Sequence, residues 1–374
     1  NIDLAVTGEI YTKGSWGLNG RSTYRKRYKY SGNFDVGYLK TKLGDKGLPD
    51  YSEQTDMRIN WTHSQDAKAN MYRTISASVN FSTSSYERNN LNSAFTPAST
   101  QNTKASSVNL TQRFPNSPWS MSAAVSVSQR SRDSSISLTL PNLTITMSRV
   151  APFKRKEAVG TEKWYEKIQL SYTGDFRNSI DTKENLLFKS NLQRDWRNGM
   201  MHKTSVQATF SAFNYLNITP SISYNERWYT SKVIEGINAG GSPVPIDTLN
   251  GFHRVYDFNG SISLQTKVYG FFEPLFAKGT KIRHVFTPSI SFSASPDFSD
   301  PAFGFYETLK YYDANGDLKE YTYSPYRNGI FGTASSGKSG SINFDFQNNF
   351  EMKMPSEKDS TGFKKISLID NLGI

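Results

Sequence analysis

Apolar and polar residues alternate with a period of two along almost the whole chain. Ile75, Ala77, Val79 and Phe81 are separated by Ser76, Ser78 and Asn80, and Trp119, Met121, Ala123, Val125 and Val127 are interleaved mostly with serine. The same rhythm runs through Val206–Ala212, Ile218–Tyr224, Ile262–Val268, Phe286–Ala294 and Ile342–Phe346. A period of two places successive side chains on opposite faces of a strand, so one face is apolar and the other is rich in Ser, Thr, Asn and Gln. The phase slips once. Ile136, Leu138 and Leu140 sit on even positions, whereas Leu143, Ile145 and Met147 sit on odd ones. Pro141-Asn142 lies between them and predicts a bulge.

The pattern predicts about fifteen strands, several of them about 10 residues or longer, which suits a tilted membrane strand better than a soluble sheet. Long connections are expected at 43–53, 85–105, 178–201, 234–252 and 296–338, the third with room for a small hairpin of its own. Short ones are expected at 29–32, 115–118, 214–217 and 271–280. Long and short alternate, as in outer-membrane barrels with long outer loops and short periplasmic turns. Two connections depart from that rule: 131–134 is short where a long one belongs, and 150–163 is long where a short one belongs. A soluble sandwich also alternates, because one face of its sheet is wet. Strand length and loop asymmetry favour a barrel, in which every backbone polar group finds a partner in a closed ring.

Composition narrows the classes. No run of roughly 18 uncharged apolar residues occurs, which excludes a helical membrane protein. Mean hydropathy is -0.59. The 21 Tyr, 24 Phe and 6 Trp suit a membrane–water interface, where a ring is wet at one end and buried at the other. Cysteine is absent, so these residues hold no disulfide, thiolate metal site or cysteine nucleophile. The net charge of +11 is spread along the chain and forms no nucleic-acid-binding block.

Motifs that suggest chemistry lack the context that chemistry needs. Gly332 to Ser339 matches a phosphate-binding loop, but a strand and not a helix follows it. Asp313 to Asp317 resembles a calcium loop with its glycine misplaced, and turn chemistry explains it. His63, His202, His253 and His284 show no metal spacing, and His284 falls in the apolar phase of its strand, a girdle position. No nucleophile elbow or supported carboxylate pair is present, so no catalytic residue, cofactor or metal is expected. The run Phe153-Lys154-Arg155-Lys156 reads equally as a solvated turn or a contact for lipid phosphates. Arg21, Arg25, Lys26 and Arg27 cluster with Tyr24 and Tyr28 at one strand end, a combination suited to phosphorylated headgroups or to plain snorkelling.

The stretch from Tyr11 through Trp16, Gly20 and Arg21 to Tyr24-Arg25-Lys26-Arg27-Tyr28 resembles the first barrel strands of the lipopolysaccharide-assembly family LptD, in its Bacteroidetes-type form. Trp61-Thr62-His63-Ser64, Leu138 to Leu143 with Val150 to Lys156, and Arg283 to Pro288 with Pro296 are similar to further segments of that family, in order. The resemblance covers essentially the whole chain.

It implies an all-β antiparallel transmembrane barrel in the cell outer membrane, with residues 1–374 supplying about 15 of about 26 strands. A fragment is expected, without the upstream jellyroll and the closing strands. The implied role is transport: lipopolysaccharide arrives from the periplasmic Lpt bridge through the jellyroll and enters the outer leaflet through a lateral seam. An LptE-like lipoprotein plugs the lumen. Many members carry a proline near the seam in an early strand; here Gly8 occupies the comparable place, and glycine also weakens pairing. Gly8 is therefore the expected seam residue, and Arg21, Arg25, Lys26 and Arg27 the expected headgroup contacts. Another outer-membrane pore, a porin or a secretion barrel, is the alternative on the residues alone, and a soluble carbohydrate-binding β-protein a third reading.

Overall fold

The computed structural model describes residues 1–12, 14–90, 103–157, 160–238, 240–275, 279–313, 315–355 and 363–373. Its strands are β1 (Ile2–Ile10), β2 (Trp16–Lys26), β3 (Tyr30–Leu43), β4 (Ser52–Gln65), β5 (Arg73–Ser82), β6 (Thr103–Arg113) and β7 (Trp119–Arg130). They continue as β8 (Ser135–Val150), β9 (Ile168–Lys183), β10 (Arg197–Ala208), β11 (Phe210–Ala212), β12 (Leu216–Ile237) and β13 (Pro243–Thr266). The last are β14 (Val268–Phe272), β15 (Lys281–Ser295), β16 (Glu307–Tyr312), β17 (Leu318–Tyr323), β18 (Ser339–Pro355) and β19 (Phe363–Gly373).

Seventeen of these form one sheet, and β16 with β17 forms a separate hairpin. Short β11 and β14 continue the lines of β10 and β13 after single-residue breaks, so fifteen rows cross the sheet, as the sequence pattern predicts. Every ladder is antiparallel and joins successive rows, from β1–β2 through β9–β10 to β18–β19, with the β16–β17 hairpin set aside between β15 and β18. The result is a single up-and-down meander, a large part of a barrel wall that is not closed. Strands of 16 residues at β8 and β9, 22 at β12 and 24 at β13 exceed what a soluble sheet commonly uses.

Alternation produces the expected two faces. Ile222 pairs with Gly260, Ile262 with Phe292, and Phe292 with Ile342, all on the apolar face. Between them Ser221 pairs with Ser261, and Ser291 with Asn343, on the polar face. Large apolar side chains stay uncovered on the apolar face: Ile222 is 58% exposed, and Ile342 and Phe344 are each 60% exposed. An uncovered apolar surface that runs across a whole sheet suits contact with lipid.

The predicted slip is present. The β7–β8 register shifts between Ala124 and Ser126, and the β8–β9 register between Thr139 and Asn142. Proline and the bulge leave residues 140–141 out of the β9 ladder, after which the apolar phase resumes on odd positions.

Connections segregate to two ends. At one end, the loop end, lie 11–15, 44–51, 83–90, 131–134, 184–196, 238–242 and 296–338; at the other, the turn end, lie 27–29, 66–72, 114–118, 151–167, 213–215 and 273–280. Both expected exceptions are present: 131–134 is short for the loop end, where 11–15 and 238–242 are short as well, and 151–167 is the long member of the turn end. Two expected connections are corrected. Residues 234–252 are not a long loop, because β12 and β13 extend through them to a turn at 238–242. Register shifts at Tyr229/Ser231 and Ile234/Glu235 destroy the period of two there and hide the strands from a pattern search. Residues 178–201 contain no hairpin: β9 and β10 extend into them, and the connection holds only one helical turn, α2 (Glu184–Leu187).

The buried core lies at the loop end. Tyr229, Val255, Phe298, Phe305, Tyr326 and Ala334 form one cluster, with Val255, Phe298 and Ala334 fully covered. Segment 296–338 folds back against the extended β12–β13 hairpin and supplies four of these residues. Burying a side chain such as Phe298 contributes about 1.5–3 kcal/mol. A second fold-back occurs at 83–90, where α1 (Tyr86–Asn89) lays the ring of Tyr86 under the Arg58 guanidinium.

Candidate functional site

β1 pairs with β2 alone among the described residues, in a register that sets Gly8 opposite Leu18 and Val6 opposite Gly20. Its other edge carries no ladder. Ile2, Leu4, Val6 and Ile10 are 65–89% exposed on the apolar face, so the strand is held by backbone bonds and little packing. A Cβ placed on Gly8 would meet nothing within 4 Å. Neither close approach nor a positive φ requires glycine there, so what it supplies is a strand position with no cross-strand side chain.

The four basic residues expected to act together do not share one surface. Period-two geometry puts Arg21 and Arg25 on the polar face and Lys26 on the apolar one, with Arg27 in the turn. Arg21 sits opposite Asp35, four residues nearer the loop end than Arg25. Arg25, Lys26 and Arg27 do line one hollow, together with Tyr24 and Tyr30, and the Arg27 guanidinium lies 4.8 Å from the Tyr28 ring centre. The cluster is therefore three cations at the turn end of β2, with Arg21 separate. Beside it, Tyr24 is hydrogen-bonded to His63 Nδ1 at 2.9 Å and accepts from Trp61 Nε1 at 2.8 Å, a knot of rings on the apolar face near the turn end. That is where an aromatic girdle belongs.

The remaining histidines also keep aromatic company. His202 lies 4.2 Å from Trp228, centre to centre, and is hydrogen-bonded to Tyr172 at 2.7 Å. His284 stacks on Phe350 at 4.2 Å on the apolar face, the expected girdle position. His253 lies 5.9 Å from Tyr326. Among the described residues no group of three or more His, Cys, Asp or Glu is placed to hold a metal. In the Gly332–Ser339 segment no helix follows, and the Gly337 amide donates to Asp297 Oδ1 at 2.8 Å. That loop holds a carboxylate of its own chain. Asp313 Oδ1 accepts from the amides of Asn315 and Asp317, which makes the acidic segment the tip of the β16–β17 hairpin.

Pattern reading misses three constellations. Glu226 lies opposite Tyr256 on the apolar face, and its carboxylate takes hydrogen bonds from Arg254 Nε at 2.6 Å and Trp228 Nε1 at 2.7 Å. The charge-assisted pair lets an acid and a base sit among exposed rings. Asp56, 1% exposed, accepts from Thr83 Oγ1 and Asn89 Nδ2 at 2.7 Å and from Ser85, which pins the 83–90 fold-back to β4. Glu184 then accepts from the Ser84 amide at 3.2 Å, and Ser84 is hydrogen-bonded to Ser134 at 2.9 Å, so three loop-end connections are tied together. The third is the cap. Tyr229 donates to the Gly332 carbonyl at 2.5 Å, Arg227 Nε donates to the Phe331 carbonyl at 3.1 Å, and Arg327 pairs with buried Glu235 at 2.6 Å. The only advance signal was the density of Phe and Tyr between 298 and 331.

The long turn-end connection is built, not slack. Arg155 donates through Nε to Glu166 Oε1 at 2.5 Å and through Nη2 to Oε2 at 3.0 Å, while the Lys163 amide donates to Oε2 at 2.7 Å. These donors hold the Glu166 carboxyl down at about 2, led by Arg155. The basic run is thus partly spent internally: Arg155 on Glu166, and Lys154 on Glu162 at 2.7 Å. Trp164 remains 67% exposed beside it.

Among the described residues no helix is long and apolar enough to cross a membrane. The profile of the LptD protein family matches residues 1–374. The chain belongs to the LptD family. No curated protein matches. Among solved structures, the Serratia marcescens hemophore receptor HasR, a double mutant in complex with its hemophore HasA and heme, matches at 5% identity and a TM-score of 0.26. That alignment covers 94% of this chain and 60% of the receptor, and it is too loose to carry an argument. LptD is a family of transport and assembly proteins and not of enzymes.

Proposed function

We propose that residues 1–374 are the early and middle wall of an outer-membrane barrel that inserts lipopolysaccharide into the outer leaflet. In this reading the apolar face contacts lipid, the turn end faces the periplasm, and the polar face lines a lumen occupied by an LptE-like lipoprotein. Lipopolysaccharide reaches the lumen from a periplasmic Lpt bridge through a jellyroll outside these residues. It leaves at a lateral seam bordered by β1. No bond is made or broken, so residues act as surface and as weak points.

One observation carries the reading beyond the family: β1 has almost no side-chain cover and a glycine at position 8 that nothing around it demands. A strand poised to release its neighbour needs few cross-strand contacts, because each such pair contributes about 0.2–1 kcal/mol. Arg25, Lys26 and Arg27 at the turn end of the adjoining strand suit the phosphates of a passing glycolipid, and Arg21 on the polar face suits its sugar–phosphate core. The test is Gly8→Val in the full-length protein, with new lipopolysaccharide measured at the surface by an impermeant label. The open space around position 8 accepts the side chain, so the variant folds, and delivery slows. Delivery at the parental rate removes Gly8 from the mechanism.

A further inference from the structure

The longest turn-end connection ends beside a groove in the apolar face. Trp164 and Ile168 form its mouth, Phe210 flanks it, and it runs across the strands past Pro220 and Gly260 to Ala294. The groove encloses about 500 Å³, within the roughly 300–1,000 Å³ of small-molecule sites. It exists because small residues interrupt the exposed rows: Gly260 lies between Phe258 and Ile262, and Ala294 lies directly opposite it.

One cation stands over a ring that lines the groove, and a second stands on the same connection. Lys167 Nζ lies 6.0 Å from the centre of the Phe210 ring, and Lys163 Nζ lies 5.8 Å from that of Tyr165. Neither ammonium forms an ion pair among the described residues, whereas Lys154 and Arg155 nearby are both paired to carboxylates. The Arg155–Glu166 lock fixes the segment that carries them. An exposed Trp beside unpaired lysines, at the rim of an apolar channel, is the arrangement of a membrane-interface anchor.

We infer that this groove is a binding site for one anionic glycerophospholipid of the periplasmic leaflet, its phosphate held by Lys163 and Lys167 and an acyl chain laid along Gly260 and Ala294. The inference rests on the membrane placement proposed above. The occupant follows from three features: the groove is continuous with the lipid-facing wall, it opens at the turn end, and its mouth is positive. The site is remote from β1, separated from it by the strands β2 to β8, so it steadies the wall and takes no part in opening the seam.

The test uses the full-length protein purified with its natural partners. It is exchanged into mixed micelles holding equal phosphatidylglycerol and phosphatidylcholine and read by native mass spectrometry. The parent retains phosphatidylglycerol over phosphatidylcholine by about tenfold, each unpaired lysine contributing a few-fold. In Lys163→Gln/Lys167→Gln the preference falls to about unity. Gly260→Leu puts a side chain into the groove from a position where a Cβ meets nothing within 4 Å, and it loses one bound lipid of either kind while its strand content is unchanged. Equal retention of both lipids by the parent, or a preference that survives the double substitution, overturns the site and leaves the membrane placement standing. A parent that retains no lipid of either class contradicts the placement as well.

Discussion

The guanidinium of Arg155 grips the carboxylate of Glu166 through two nitrogens, at 2.5 and 3.0 Å, across the one long connection at the turn end. Planar donors matched to a planar acceptor make this the strongest kind of ion pair a surface loop offers. Glu166 titrates at about 2 in the folded chain against an ordinary 4.5. A carboxyl with a depressed folded value stabilises its fold fully above the ordinary value and loses that contribution as pH falls through the folded one. The connection should therefore loosen between about pH 4.5 and pH 2, seen as a fall in hydrogen-exchange protection, relative to the intrinsic rate at each pH, at amides 153–157 and 160–167 while the strand amides stay protected. Arg155→Gln should move the loosening toward pH 4.5. An exchange profile flat across that window would contradict the lock.

Phe298 ties the cap to the wall. It is fully buried, with its ring 5.4 Å from Phe258 and 5.1 Å from Phe303. Truncation of a buried Phe to Ala costs about 3–5 kcal/mol. Here the loss falls on the cap, because the β12–β13 ladder does not depend on it. Phe298→Ala should make segment 296–338 sensitive to added protease in intact cells while the heat-resistant mobility of the barrel on gels is unchanged.

Arg327 answers a different question, since its partner Glu235 is only 2% exposed. Removing the arginine leaves a covered carboxylate with one remaining side-chain donor, Tyr321 at 3.2 Å. A charged hydrogen bond of this kind is worth about 1.5–3 kcal/mol. Arg327→Leu should lower the melting temperature of the cap, and Arg327→Leu/Glu235→Leu should recover most of the loss. A double variant as weak as the single one would show that the pair is not what holds the segment down.

Which stretches are strands was legible wherever the period of two survives, as in Ile262-Ser263-Leu264 and Phe286 to Ala294. The bulge at Pro141 was legible as a change of phase. The upper halves of β12 and β13 were not, because two register shifts break the rhythm between Tyr229 and Glu235. The cap was illegible for a related reason: segment 296–338 stores its apolar residues without a period, and its packing is set by distant partners such as Val255. Grouping Arg21 with Arg25, Lys26 and Arg27 by adjacency overlooked position along the strand, which sets Arg21 four residues nearer the loop end while the other three line one hollow. Gly8 was readable as a weak point, but the thin side-chain cover of β1 is a property of the fold.

A membrane wall requires an oily face and a wet face in one sheet. Because these residues lack cysteine, single cysteines can be introduced at successive positions 261 to 264 of β13 and 289 to 292 of β15 and spin-labelled in the full-length protein in bilayers. Labels replacing Ile262, Leu264, Ile290 and Phe292 should be relaxed by dissolved oxygen and shielded from a water-soluble nickel complex. Labels replacing Ser261, Ser263, Ser289 and Ser291 should show the reverse. Nickel access equal at all eight positions would mean that both faces meet water, and would contradict the membrane wall and the lipid-transport role together.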